Sequence, residues 1–251
     1  MRDFTLAIYR NLCSEINNSG YLPITVEQYC REVPHENFII IRHDVDRKIE
    51  MALEMADLER SLGIRASYYF RKIPHVFNPD IIKQIKDMGH EIGYHYEVLD
   101  KAKGNKELAI RIFEKELQEF REFTDIKTIC MHGNPLARWS NNELWQDYDF
   151  RDFGIIGEPY LSIDYSKVFY LSDTGRTWNS CFSVKDIVKN SFCEIINSTQ
   201  DIIDLINKKK YERLCILVHP NRWTDNMDAW LAEMLWQNMK NIGKACIKAA
   251  T

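Results

Sequence analysis

The sequence predicts an α/β fold organised around parallel strands, and three observations carry that prediction. Short apolar runs of strand length recur between longer segments of helical period, the alternation expected of βα units. Gly, Asn and Pro stand where the helices should start and stop. Several apolar runs finish in a polar residue of unusual kind: Arg42-His43-Asp44-Val45-Asp46, Gly93-Tyr94-His95, Cys130-Met131-His132, Ser172-Asp173 and Val218-His219. In a parallel sheet or barrel all C-terminal strand ends share one rim, where such folds place their active sites.

In chain order, the first 35 residues read as two helices, from Asp3 to Ile16 and from Thr25 to Val33, forming a cap under or beside the sheet. The strands are expected from Phe38 to Arg42, Ala66 to Phe70, Glu91 to Tyr94, Ile126 to Met131, Val168 to Ser172 and Leu214 to Val218. Each is about five residues long. Between the first two, Ile49, Leu53, Ala56 and Leu62 lie at helical spacing and Gly63 ends the run. Asn78-Pro79-Asp80 offers a cap and a first-turn proline to the next helix, which Gly89 closes. From Lys106 to Phe123, Leu108, Ile112, Leu117 and Phe120 mark the apolar side of a helix whose charged face belongs in solvent. A last helix begins near Asp225. No repeat, low-complexity segment or linker divides the chain, so residues 1–251 are expected to form one domain.

Composition narrows the partners. A chain of 251 residues that is 45% hydrophobic and 28% charged has the make-up of a folded globular protein. Its 33 Lys and Arg against 37 Asp and Glu leave a net charge of -4, which gives no electrostatic reason to expect nucleic acid or an anionic membrane. The most apolar stretches fall far short of the roughly 20 residues that span a bilayer, so no stable membrane insertion is expected. The start of the chain lacks the apolar block of about 7 to 15 residues of a secretory leader, and the expected location is the cytoplasm. The cysteines at 13, 30, 130, 181, 193, 215 and 246 are scattered without a CxxC, which argues against a disulfide framework and a thiolate zinc site.

The strand ends suggest a metal. Residues two apart in an extended strand point to one side, so Asp44 and Asp46 bring two carboxylates within several Å of each other. Like charges that close raise one pKa unless a cation lies beside them. A divalent metal with imidazoles from His95 and His132 resolves the repulsion, and two His with a carboxylate is the donor set of a catalytic centre. The plainer alternative is that the aspartates cap the following helix. His43 and His90 alternate away from Asp44 and His95 and read as supporting residues. Three loops pair Arg with Trp: Arg138-Trp139, Arg176-Thr177-Trp178 and Arg222-Trp223. Guanidinium forks and indole faces suit an anionic sugar derivative, the alternative being packed Trp and surface Arg. Arg138 or Arg176 is expected to pair with Asp44.

Residues 38–220 resemble the polysaccharide deacetylases of carbohydrate esterase family 4, the NodB-homology domain. Gly89-His90-Glu91-Ile92-Gly93-Tyr94-His95 is similar to that family's GHEIGxH segment, and His43-Asp44-Val45-Asp46 to its Asp-rich first motif. Met131-His132-Gly133-Asn134-Pro135 stands at the place of the third motif, Asp173 and Trp178 loosely at the fourth, and Leu214 to His219 at the fifth. The resemblance implies a distorted (β/α) barrel with about seven parallel strands and, here, an N-terminal helical extension. It implies one divalent metal, zinc by default, with Asp44 as catalytic base, Asp46 and His95 as ligands and His219 as general acid. Leu99 stands where the family has its second metal-binding His. The replacement is then His132 or Glu97, which lies two residues beyond His95.

The implied activity is hydrolytic removal of an N-acyl group, acetyl by default, from an amino sugar. A nucleotide- or lipid-linked precursor in surface-glycan biosynthesis is the expected substrate, with Arg138, Trp139, Asp173, Arg176, Trp178, Arg222 and Trp223 around it. Two other readings share these residues: a carbohydrate-binding protein that has lost catalysis, for which Leu99 speaks, and a hydrolase of a non-sugar C–N bond.

Overall fold

The computed structural model describes residues 2–178, 185, 188 and 194–250. Cys181 and Cys193 lie outside them, as does the side chain of Cys246. The chain opens with α1 (Leu6–Ser19), capped by the Thr5 hydroxyl and ended by Gly20 at φ +79°. Then β1 (Leu22–Ile24), a strand missing from the sequence reading, precedes α2 (Val26–Arg31), whose Thr25 and Gln28 form a capping box. The other strands are β2 (Phe38–Val45), β3 (Ser67–Arg71), β4 (Glu91–Tyr96), β5 (Ile129–Met131), β6 (Phe169–Ser172) and β7 (Arg213–Val218). The other helices are α3 (Ile49–Ser61), α4 (Pro79–Asp87), α5 (Val98–Lys101), α6 (Lys106–Arg121), α7 (Pro159–Ser162), α8 (Thr199–Asn207) and α9 (Met227–Ala250).

Among the strands, three boundaries shift by two residues or more. Strand β2 runs past Arg42 because β3 pairs with it as far as Val45 and β7 as far as His43, so His43 and Asp44 lie inside the sheet. Strand β4 extends to Tyr96 for the same reason, with His95 level with Arg71 and Cys130. Strand β5 begins only at Ile129, since Thr128 bridges instead to Gly157. In α6 the buried stripe is Ala109, Phe113, Leu117 and Phe120, and Leu108, expected on the apolar side, is exposed.

All seven strands are parallel, in the order β5-β4-β3-β2-β7-β6, with β1 beside the first half of β2. Five strands, β7 to β5, would spread over about 19 Å if flat. Yet His132 after β5 and His219 after β7 both approach Asp46 within 3.8 Å, so the sheet is strongly curled. A non-strand segment covers the free edge of β5: Ile156 N–H donates to Lys127 O, Ile129 N–H to Gly157 O, and Met131 N–H to the buried Glu158 carboxylate. This is a distorted α/β barrel.

Alternation along each strand separates two apolar layers. Ile39, Ile41, Val45, Tyr68, Phe70 and Ile216 face the helices, whereas Ile40, Tyr69, Cys130, Tyr170, Cys215 and Leu217 face the concave interior. The interior is a packed core whose floor depends on Gly93, since a Cβ there would lie 2.3 Å from the Tyr69 ring.

Candidate active site

The concave side of the C-terminal rim holds the polar strand ends. Arg42 and Asp44, two apart on β2, both point inward, and Arg42 Nη2 donates to Asp44 Oδ2 at 3.1 Å and to the Tyr160 hydroxyl at 2.7 Å. Thus Asp44 is paired by Arg42. Arg138 is exposed, and Arg176 lies 4.3 Å from the Trp230 ring centroid and donates to the Trp230 carbonyl, so neither expected arginine takes the role. The two-residue spacing of Arg42 and Asp44 was the signal for this pair.

Asp46 is the meeting point of three imidazoles. Its Oδ1 lies 3.5 Å from His95 Nε2 and 3.6 Å from His132 Nε2, and its Oδ2 3.8 Å from His219 Nε2. Each ring is oriented from behind. His95 Nδ1–H donates to Cys130 O at 2.9 Å, which leaves Nε2 facing Asp46. His219 Nδ1–H donates to Asp173 Oδ1 at 2.6 Å. His132 is placed through its backbone, the N–H donating to Tyr96 O and the carbonyl accepting from Asn141 Nδ2. Burial pushes the Asp46 carboxyl up, but the His95, His132 and His219 imidazoles outweigh it and hold it well below the usual range. Burial likewise works against the charged form of His95, and Asp44 and Asp46 overcome it, so its pKa is raised. At His132 burial prevails and the pKa falls.

Whether these donors fit a metal is decided by Asp46 Oδ1. It is buried with no hydrogen-bond donor among the described residues, and it faces two nitrogens just beyond bonding range. Tetrahedral ligands with bonds of about 2.0–2.1 Å stand about 3.3 Å apart, close to the 3.5 and 3.6 Å that separate Asp46 Oδ1 from the two imidazoles. Asp46 is thus at ligand distance from His95 and from His132, while among the described residues the group whose ligand atoms all lie within 4.8 Å of one another is Asp44, His95 and Cys130. There Asp44 is held by Arg42, and the Cys130 thiol lies 3.9 Å from Asp44 Oδ1. The inner group is thus partnered within the protein, and the outer one is not.

Leu99 is in the core, its N–H donating to Asn141 Oδ1. Glu97 sits behind His132, 3.4 Å from its Nδ1, and is bound by Arg71 at 2.5 Å. Between the two candidates for the missing ligand, His132 faces the site and Glu97 faces His132.

The Arg/Trp loops divide. Trp223 is fully buried, donates Nε1–H to Asp173 Oδ2 at 2.8 Å and packs edge-on to Phe4 and Tyr9. Trp178 is buried against Phe4 and donates to Thr199. Trp139 donates to Asp100 and packs on Gly104. Trp178 and Trp223 therefore have no face free for a sugar, contrary to expectation, because indoles in these positions fill the outer layer. Asp173, also fully buried, serves His219, Arg222 and Trp223; burial raises its carboxyl, and Arg222 and His219 more than reverse the effect. Arg222 does line the site, in a cavity of about 190 Å³ shared with Asp44, Asp46, His95, His132, Asn134 and His219. Gln237 and Lys240 of α9 complete its wall. Sequence reading missed them, since nothing in a helical period links α9 to the rim.

No family model and no curated protein matches the chain. Among solved structures, a family 4 carbohydrate esterase from Bacillus anthracis is 14% identical with a TM-score of 0.43, covering 97% of this chain and 90% of that one. A family 4 pseudoenzyme from the same organism is 14% identical with a TM-score of 0.42, over 82% of this chain. The chain spans 62% of that pseudoenzyme's length. Likenesses this distant carry no residue roles across, and the chemistry follows from this chain's own geometry.

Proposed function

We propose that the protein is a divergent polysaccharide deacetylase-type hydrolase that removes an N-acyl group, acetyl by default, from an amino sugar. The observation that carries this reading is the buried Asp46 carboxylate oxygen, without a hydrogen-bond partner among the described residues, between two imidazoles, with Asp44 and His219 lining the same cavity. Asp46, His95 and His132 would hold a divalent cation, zinc by default, which supplies Lewis acidity toward a carbonyl and lowers the pKa of water.

The residues then divide the proton traffic. Asp44, oriented by Arg42, accepts the proton of the attacking water as its oxygen bonds to the acyl carbon. His219 donates from Nε2 to the amine as the C–N bond breaks, and Asp173 stabilises the imidazolium through Nδ1–H. A carboxylic acid and a free amino sugar leave.

Asp44→Asn tests the reading: circular dichroism should show a folded chain, elemental analysis an unchanged metal content, and acetate release a fall of about 1,000-fold. Retained turnover would sink the base assignment. The finer proposal is a nucleotide- or lipid-linked precursor of a surface glycan, acted on in the cytoplasm. Deacetylation of chitin oligomers in preference to sugar nucleotides would overturn it.

A further inference from the structure

Helix α9 lies across the cavity and is strapped there by polar contacts. Glu233, buried, binds Arg47 at 2.7 Å and accepts from Gln237, and Asn241 donates to the Gly175 carbonyl beyond β6. That strapping brings Gln237 and Lys240 to the wall of the cavity that Asp46 also lines.

Of the two Lys and Arg side chains that line the cavity, Arg222 and Lys240, only Arg222 has an ion pair among the described residues. Arg42 pairs with Asp44, Arg222 with Asp173, and Arg47 with Glu233. Lys240 has no hydrogen bond or ion pair among the described residues; its ammonium stands 5.7 Å over the Trp236 ring centroid. Burial, with Arg47 and Arg222 nearby, pushes the Lys240 ammonium down to about 8, against the opposite pull of Glu233 and Asp46. Arg222 beside it commits Nη1 to Asp173 and keeps a buried Nε without an acceptor among the described residues.

We propose that Lys240, with Arg222, forms an anion subsite in the cavity, so that the preferred substrate is an acylated amino sugar carrying a phosphate or carboxylate. This rests on the hydrolase reading and adds a substrate class to it. A point charge on a flexible stem meets a phosphate or carboxylate oxygen without fixed geometry, and the adjacent guanidinium adds direction. The anion occupies the α9 side while the acylamino group faces Asp44 and Asp46.

The experiment compares N-acetylglucosamine, its 1-phosphate and N-acetylglucosaminuronic acid as substrates of the metal-loaded wild type, Lys240→Ala and Lys240→Arg. In the wild type kcat/KM should favour at least one anionic sugar over the neutral one, and which one it favours identifies the source of the charge. Lys240→Ala should lower that preference about tenfold or more, chiefly through KM, and Lys240→Arg should restore most of it. Equal kcat/KM for neutral and anionic sugars in the wild type, or an unchanged preference in Lys240→Ala, overturns the subsite. If no acyl group is released from any of them, calorimetric titration with the same compounds decides. Binding of an anionic sugar that weakens tenfold in Lys240→Ala keeps the subsite and discards the hydrolase, and absence of such binding discards both.

Discussion

Two clusters in this molecule have nearly the same composition and opposite character. At the rim, the Asp46 carboxylate stands among His95, His132 and His219. In the outer layer, between sheet and helices, the Glu59 carboxylate stands between His43 and His90. Glu59 is saturated: Oε1 accepts from His43 Nε2 at 2.7 Å and from the Tyr9 hydroxyl, and Oε2 from the Tyr68 hydroxyl at 2.7 Å. His90 is closed as well, Nε2–H donating to Ala56 O and Nδ1 accepting from Ala66 N–H. The Asp46 cluster keeps a buried oxygen without a donor among the described residues and opens to a cavity. Carboxylate plus imidazoles therefore does not by itself mark a metal site; what sets the Asp46 cluster apart is unused bonding capacity facing a cavity.

The contrast is most easily broken by removing each carboxylate. Asp46→Ala should abolish metal retention, from about one ion per chain to none by elemental analysis, and cut acyl release by about 1,000-fold or more. The metal-free variant should unfold in urea within about 1 kcal/mol of the metal-free wild type, since few internal bonds are lost. Glu59→Gln should do the reverse, destabilising by about 3 kcal/mol while the folded fraction keeps its metal. Burial raises the Glu59 carboxyl, but His43 and His90 hold it below its ordinary 4.5. Its stabilising share is therefore present above pH 4.5 and lost as pH falls through the folded value, and urea midpoints between pH 6 and 3 should fall less steeply in Glu59→Gln. The smallest effect is expected at Glu97→Gln, which leaves every proposed ligand in place. Weakening the support behind His132 should loosen metal binding about tenfold in a competitive chelator titration. Unchanged affinity would show that Glu97 serves only Arg71.

Much of the rim was legible in the sequence because strand alternation is strict. Asp44, Asp46, His95, His132 and His219 each follow or end a recognisable apolar run, and parallel pairing brings such ends together whatever their separation in the chain. Glu59 was not read, although it sits three and four residues beyond Ala56 and Met55 on the buried stripe of α3. A charge at an apolar-face position was the available signal. The Trp residues misled because an indole beside Arg looks the same whether it faces a ligand or Phe4. Lys240 was invisible for a different reason: its place depends on α9 folding back over strand ends contributed by distant parts of the chain.

One consequence of β2 concerns insertions and deletions. Arg42, His43 and Asp44 send consecutive side chains to opposite faces, so this strand feeds the rim and the Glu59 cluster from adjacent positions. A slip of one residue would press a guanidinium and a carboxylate among the helices and turn His43 into the barrel. A point substitution removes one cluster at a time. A single residue added to or taken from the middle of β2 would dismantle both together, and its expected phenotype is a chain that does not fold.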